Sequence, residues 1–416
     1  MTATLTRTTE CLQLRNGITL LVTPNPTIDL VAARCFLKYG TQVETPEQAG
    51  LVHLVATLLT KGTTQYTAQE IAEQVESLGA VLNAEAANDY LLLSLKALTT
   101  DFPELLALTA EILRNATFPE SELQLERHLT LQAIKAQQER PFALAYDRLQ
   151  ALLYGDHPYG LPILGLSHTV ARLEHQHLRH YQQQYLHPAH LVISIAGNIT
   201  TAQGETLVNQ YFQDWLPPPP PTPPTPPLLT PSPQIAQIPL NNQQIVVMLG
   251  YPAPAVTSPH YPAMKLIATY LGSGLSSRLF VELREKRGLA YEVSAFFPTR
   301  QYTSQLVCYM GTAPHNQEIA ITGLQQECDR LAQEPLSEEE LQTVKSKLLG
   351  QYALSKQTNS QLAQTYGWYT TLGLGIDFDL QFTAVVQALT PQDLQHTAQT
   401  YFTQPTIVLV GGDQLQ

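Results

Sequence analysis

The stretch HLVATLLTKGT, residues 53–63, is echoed 212 positions later by KLIATYLGSGL, residues 265–275. Each opens a run of helical periodicity that passes into a strand-like run. The ends of the two halves match as well. HLRHYQQQYLHPAHLVISIAGN (177–198) and DLQHTAQTYFTQPTIVLVGGD (393–413) both read as an amphipathic helix, a Tyr, a Pro, an apolar strand and a Gly. A similarity at this period is a duplicated domain and not a solenoid repeat.

Between the copies lies PPPPPTPPTPP, residues 217–227, nine prolines in eleven residues, with almost no backbone donor for a helix or a sheet. In polyproline II form it would span about 34 Å as a semi-rigid strap. Its central position favours a linker over an SH3-type ligand. The expected organisation is residues 1–216, a linker at 217–233, and residues 234–416.

Each half alternates strand patterns, such as 17–25, 90–98 and 190–197 or 244–251, 303–311 and 406–412, with helices such as 101–116 and 337–355. The helices start with Asp or Ser caps and acidic first turns. Without strict βα alternation, this predicts an α+β fold made twice, each copy a mixed sheet with helices packed on one face.

Composition narrows the function. Hydrophobic residues at 44% and charged residues at 14% describe a globular chain of 416 residues. Lys+Arg 23 against Asp+Glu 35 leaves a net charge of −12, which disfavours nucleic acid. The start carries no apolar core of signal-peptide length and no run is long enough for a membrane span, so the expected location is cytoplasmic. Asn115 and Asn198, in sequons, are then ordinary surface residues. Cys11, Cys35, Cys308 and Cys328 form no CxxC and read as buried thiols. His175, His177, His180, His187 and His190 crowd one helix end, and a solvated face is the expectation there.

AGLVHLVATLLTKGT (49–63), followed by SLGAVLNAEAANDY (77–90), resembles the first domain of pitrilysin-type zinc peptidases, the group that includes mitochondrial processing peptidases. Active members carry H-x-x-E-H on this helix and a third, carboxylate ligand some seventy-six residues on. Here the four positions hold His53, Ala56, Thr57 and Ala133. One imidazole cannot hold zinc, so the resemblance implies no metal in this chain and no peptidase activity by the chain alone. Glu126, seven residues before Ala133, matches a Glu that accompanies the third ligand. His53 by itself also fits a polar residue hydrogen-bonded at a helix end.

LGSGLSSRLFVELREKRGLAYEVSAF (271–296) resembles the second-domain signature of the same family. There an Arg and a Tyr seven residues apart reach the zinc site facing them, on another chain in two-subunit members. Arg284 and Tyr291 have that spacing, and the resemblance makes them catalytic. ELREKRG is equally a helix end, with Arg284, Lys286 and Arg287 facing the dipole and Gly288 as C-cap. The loop with Gly272 and Gly274 lacks a Walker Lys and is not a phosphate loop. By resemblance it lies near bound peptide, as do Asn83 and Ala84 on an edge strand that receives substrate as an added strand. Asn83 reads as readily as a simple edge or turn residue.

The resemblance thus implies the non-zinc subunit of a heterodimeric peptidase, with zinc on a homologous partner and extended peptides as substrate, basic ones favoured by the net charge. Two rivals remain at this stage: an inert scaffold subunit, and a zinc-independent peptide-binding homodimer.

Overall fold

In the computed structural model the described residues are 8–219, 226, 227, 229, 233–240 and 243–412. Residues 220–225 of the proline strap lie outside them, so its expected polyproline II form is not described there. The first sheet contains β1 (Glu10–Gln13), β2 (Thr19–Pro24), β3 (Leu30–Lys38), β4 (Val81–Ala86), β5 (Tyr90–Leu98) and β6 (Leu191–Gly197). The second contains β7 (Ile235–Ile238), β8 (Ile245–Ala253), β9 (Glu292–Phe296), β10 (Ser304–Thr312) and β11 (Thr406–Val410). Helices in the first half are α1 (Leu51–Leu58), α2 (Ala68–Ser77), α3 (Phe102–Asn115), α4 (Glu120–Gln138), α5 (Pro141–Tyr154), α6 (Ser167–Val170), α7 (His175–Tyr185) and α8 (Thr201–Phe212). Those of the second are α9 (Tyr261–Gly272), α10 (Gln317–Gln333), α11 (Glu338–Leu354), α12 (Asn359–Thr371), α13 (Phe378–Ala388) and α14 (Pro391–Tyr401).

Strand order makes the duplication explicit. The first sheet runs β1-β2-β6-β3-β5-β4 and the second β7-β11-β8-β10-β9. Without β1 the two orders correspond strand for strand. Each has one parallel pair, β2 with β6 and β7 with β11, and antiparallel pairing elsewhere. The fold is α+β, two homologous mixed sheets with helices.

Period-2 alternation in β3 shows how each sheet is covered. Val31, Ala33, Cys35 and Leu37 point into the large core shared with α1, α3 and α7. Phe36 points to the opposite face, where Leu21, Leu92 and Val192 meet Tyr366 and Trp368 of α12. A helix of the second half therefore covers the other face of the first sheet. The converse holds in the second sheet, where Ala145 and Leu149 of α5 pack on Met248, Val307, Val408 and Val410.

The compact units follow this exchange. One contains residues 1–134, 162–226 and 355–378; the other contains 135–161, 227–354 and 379–416. The expected linker at 217–233 separates the strands of the two sheets, but one segment from each half is traded. α5 and α12 hold equivalent places, since α5 packs on β8 and β11 while α12 packs on their counterparts β3 and β6.

Glycine makes both seats possible. A Cβ on Gly367 of α12 would lie 2.4 Å from Cε2 of Phe36, and one on Gly250 of β8 would lie 2.9 Å from Cδ1 of Leu149. α12 is started by a capping box, Thr358 with Gln361, and held by Asn359, whose Nδ2 donates to the Leu30 carbonyl at 2.9 Å. Asn25 Nδ2 donates in turn to Asn359 Oδ1 at 2.6 Å.

Gly367→Ala should destabilise the protein by about 1–3 kcal/mol through overpacking, although alanine has the higher helix propensity. Gly350→Ala in α11, where a Cβ meets nothing within 4 Å, should instead stabilise by up to about 1 kcal/mol. Urea denaturation of the two variants checks the opposite signs, and equal midpoints would contradict the tight seat of α12.

Candidate functional site

α1 begins after Gly50, whose φ of +93° turns the chain into the helix. Its first free amides are met by a carboxylate: Glu44 accepts from Gly50 N–H at 3.1 Å and from Val52 N–H at 2.7 Å. Leu51, Val52, Leu54, Val55, Ala56 and Leu58 are buried, so the helix is a core element. Glu44 is itself 4% exposed, and burial pushes its carboxyl up to about 8, outweighing the two amides that pull it down.

On α1, His53 is half-buried. Desolvation lowers the pKa of its imidazole, and the nearby charge of Glu126 opposes that shift. Glu126 reaches this place from α4 and pairs with Lys61 at 3.2 Å. Thr57 spends its hydroxyl on the Leu54 carbonyl at 3.1 Å, Ala56 is buried, and Ala133 is exposed on α4. The structure thus brings His53, Glu126 and Lys61 together, whereas positions 56, 57 and 133 offer no metal ligand. Among the described residues no three His, Cys, Asp or Glu side chains are placed to hold a metal ion. This donor set does not fit zinc, which takes at least three protein ligands.

β4 is the outer strand of its sheet, bonded to β5 alone. Ala87 N–H donates to the Tyr90 carbonyl at 2.9 Å, and the antiparallel alternation then turns Asn83 and Glu85 amides inward to β5. Leu82, Ala84 and Ala86 present their backbone groups at the open edge, while Asn83 stands exposed on the sheet face.

In the second unit, Arg284 lies in a π-helical turn, Phe280–Lys286. This turn ends at Gly288, φ +64°, whose N–H reaches the Arg284 carbonyl at 3.1 Å. The neighbouring cations are committed: Arg278 to Glu282 and Glu327, Lys286 to Glu282, and Arg287 to Glu327. Arg284 is exposed and has no carboxylate partner among the described residues; its guanidinium lies 5.0 Å from the Phe280 ring centre. Tyr291 is 57% exposed, with its main chain fixed by a 2.9 Å bond to the Gly311 carbonyl. Two hydrogen-bond donors therefore flank one turn, and neither side chain has a hydrogen-bond or ion-pair partner among the described residues.

The glycines of 272–274 are placed by their own unit. A Cβ on Gly272 would lie 2.0 Å from the Ala295 nitrogen, so the close approach it permits is to β9, and Gly274 has φ +73°. Lys347 and Gln351 of α11 hold the loop through Ser273, and Ser294 Oγ donates to the Gly272 carbonyl at 2.8 Å.

Two sequence expectations are corrected. His187 and His190 are not on a solvated face: both are buried, with ring nitrogens against the Pro218 and Tyr185 carbonyls at 3.0 and 3.3 Å. Cys11 is exposed, and Cys308 and Cys328, twenty residues apart, meet with sulfurs at 3.6 Å because β10 packs on α10. Glu44 and Lys61 were missed by motif reading. The available signal for Glu44 was an acid two residues before Pro46 and seven before an apolar helix.

The duplicated α+β fold, two homologous mixed sheets each covered by helices, is the class of molecule to which the comparisons speak. The Insulinase (Peptidase family M16) model matches residues 20–167, and the Peptidase M16 inactive domain model matches residues 172–348. The chain belongs to the pitrilysin-type peptidase family M16. It is 28% identical over 84% of its length to a Bacillus subtilis protein named uncharacterized zinc protease YmxG, of which it covers 85%. It is 26% identical over 97% of its length to an uncharacterized zinc protease of Rickettsia felis, of which it covers 98%. Two solved structures share the fold, each with a TM-score of 0.91 over 98% of this chain. One is a protease from Helicobacter pylori, 21% identical and covered in full; the other is a peptidase M16 inactive domain from Pseudomonas fluorescens, 22% identical and 99% covered.

The Glu44 carboxyl gives the α1 entrance a pH dependence. Its folded value, about 8, lies above the ordinary 4.5, so the folded protein holds a proton that the unfolded chain releases. That stabilisation is complete below pH 4.5 and is lost as pH rises toward 8. Glu44→Gln should flatten the fall in unfolding free energy across this window, measured by urea titrations at stepped pH; an unchanged slope would contradict the assignment.

Proposed function

We propose that this chain is the non-zinc subunit of a two-chain pitrilysin-family peptidase, lending Arg284 and Tyr291 to a zinc site carried by a homologous partner. The observation that supports this most is the contrast within residues 278–291: three cations are tied in ion pairs, while Arg284 and the Tyr291 phenol have no such partner among the described residues. The chain's own α1 offers a single imidazole, so the metal and the attacking nucleophile belong to the partner.

Chemically, attack on a peptide carbonyl builds negative charge on its oxygen, and preorganised donors stabilise that charge more than the ground state. A phenol O–H and a guanidinium N–H are suitable donors. Extended peptide would add along β4, bonding to Leu82, Ala84 and Ala86 while Asn83 faces its side chains. Among the described residues no helix is long and apolar enough to cross a membrane, and we place the pair in the cytoplasm.

Purified alone, the chain should contain no stoichiometric zinc and cleave no unstructured peptide. With a partner bearing intact HxxEH it should be active, and Tyr291→Phe should then lower kcat by about 10²–10³ at unchanged assembly. Wild-type turnover in that variant, or zinc-dependent cleavage by the isolated chain, would overturn the proposal and return the scaffold or homodimer reading.

A further inference from the structure

The segment that carries Arg284 and Tyr291 is anchored by two elements, and two cysteines join those elements to each other. α10 supplies the first anchor. The Glu327 carboxylate, 4% exposed, accepts from Arg278 Nε at 2.8 Å and pairs with Arg287 at 3.5 Å. Gly323, one turn earlier, lets Leu283 approach the helix: a Cβ there would lie 2.9 Å from Leu283 Cδ2. β10 supplies the second anchor. Its Gly311 carbonyl accepts from Tyr291 N–H at 2.9 Å, and Thr312 Oγ1 donates to the Leu289 carbonyl at 2.5 Å. Residues 278–291 therefore keep their place as long as α10 stays on β10.

Cys328 follows Glu327 on α10, and Cys308 stands three residues before Gly311 on β10. Both side chains are fully buried, and their sulfurs lie 3.6 Å apart. Two thiols touch at this distance. Closing it to the roughly 2.05 Å of a disulfide takes about 1.6 Å, shared between two side chains that each turn about one χ1 bond. The other two cysteines do not compete, since Cys35 is buried in the core of the first unit and Cys11 is exposed on β1.

We propose that Cys308 and Cys328 are a disulfide site, closed by a hydroperoxide, and that the bond locks the segment holding Arg284 and Tyr291. One sulfur attacks the peroxide O–O bond and becomes a sulfenic acid, its proton leaving with the departing oxygen; the second sulfur then displaces water from it. With hydrogen peroxide the S–S bond forms, the O–O bond and both S–H bonds break, and two waters are released. The hydrogen bond to Cys328 and burial push the Cys308 thiol well above its ordinary range, so in the closed fold it is protonated and a poor nucleophile. Oxidation proceeds through local opening of α10 from β10, and the finished bond suppresses that same opening. Bond and lock stand on the fold alone and do not depend on what Arg284 and Tyr291 do.

The test uses the full chain carrying Cys11→Ser, which prevents cross-linking between molecules. It is incubated with hydrogen peroxide, denatured and alkylated with iodoacetamide. Alkylation should fall from the three remaining thiols to Cys35 alone, and peptide mapping should find residue 308 joined to residue 328. Amide hydrogen exchange across 278–291 should slow by at least about tenfold in the oxidised form and recover with dithiothreitol. In Cys328→Ala, peroxide should leave that exchange unchanged; the mapping stands even if this variant does not fold. If Cys308 and Cys328 stay alkylatable, or pass to sulfinic acids without joining, the disulfide site is overturned. A disulfide that leaves exchange at 278–291 unchanged overturns the lock.

Discussion

Phe36 has a neighbour that no local pattern reveals: it stands on the first sheet's face away from the large core, and the backbone of Gly367 lies against it. This contact is where a helix encoded near the end of the chain closes an apolar surface made near its start. The same constraint is met in the second sheet by Leu149 and Gly250. A sheet with two apolar faces needs two layers of helix, and each half supplies its own sheet with one. Everything described at the candidate site is carried by sheets completed in this reciprocal way.

The emptied α1 helix is intelligible in these terms. Its buried residues are core residues, and its first turn is bound by Glu44, so its shape is maintained by packing and capping regardless of any metal. His53 and Glu126 remain beside each other, with Lys61 neutralising the carboxylate. Of the compared positions, Ala56 is part of that core, Thr57 bonds back to the Leu54 carbonyl, and Ala133 is exposed on α4. In the second unit the reverse applies: the fold commits Arg278, Lys286 and Arg287 to ion pairs and leaves Arg284 and Tyr291 uncommitted.

Much of this was legible in the chain itself. Strand alternation, the echo between residues 53 and 265, and the strap marked two similar α+β halves. The traded helices were not legible, because the periodicity of α5 and α12 shows that each is amphipathic but not which sheet its apolar face meets. The meeting of Cys308 with Cys328 was hidden for a related reason. Twenty residues separate them in the chain, and only the packing of α10 on β10 brings the sulfurs together. The buried positions of His187 and His190 depend on backbone carbonyls that no side-chain pattern reports.

The trade of α5 for α12 also bears on how such a molecule can change over time. A duplicated gene normally leaves two copies free to separate into independent polypeptides. Here a cut at the proline tract would strip each product of one covering layer and expose a broad oily surface. The two copies are thereby bound to a common reading frame, and a residue on either traded helix can diverge only in step with strands encoded far from it in the other half of the gene.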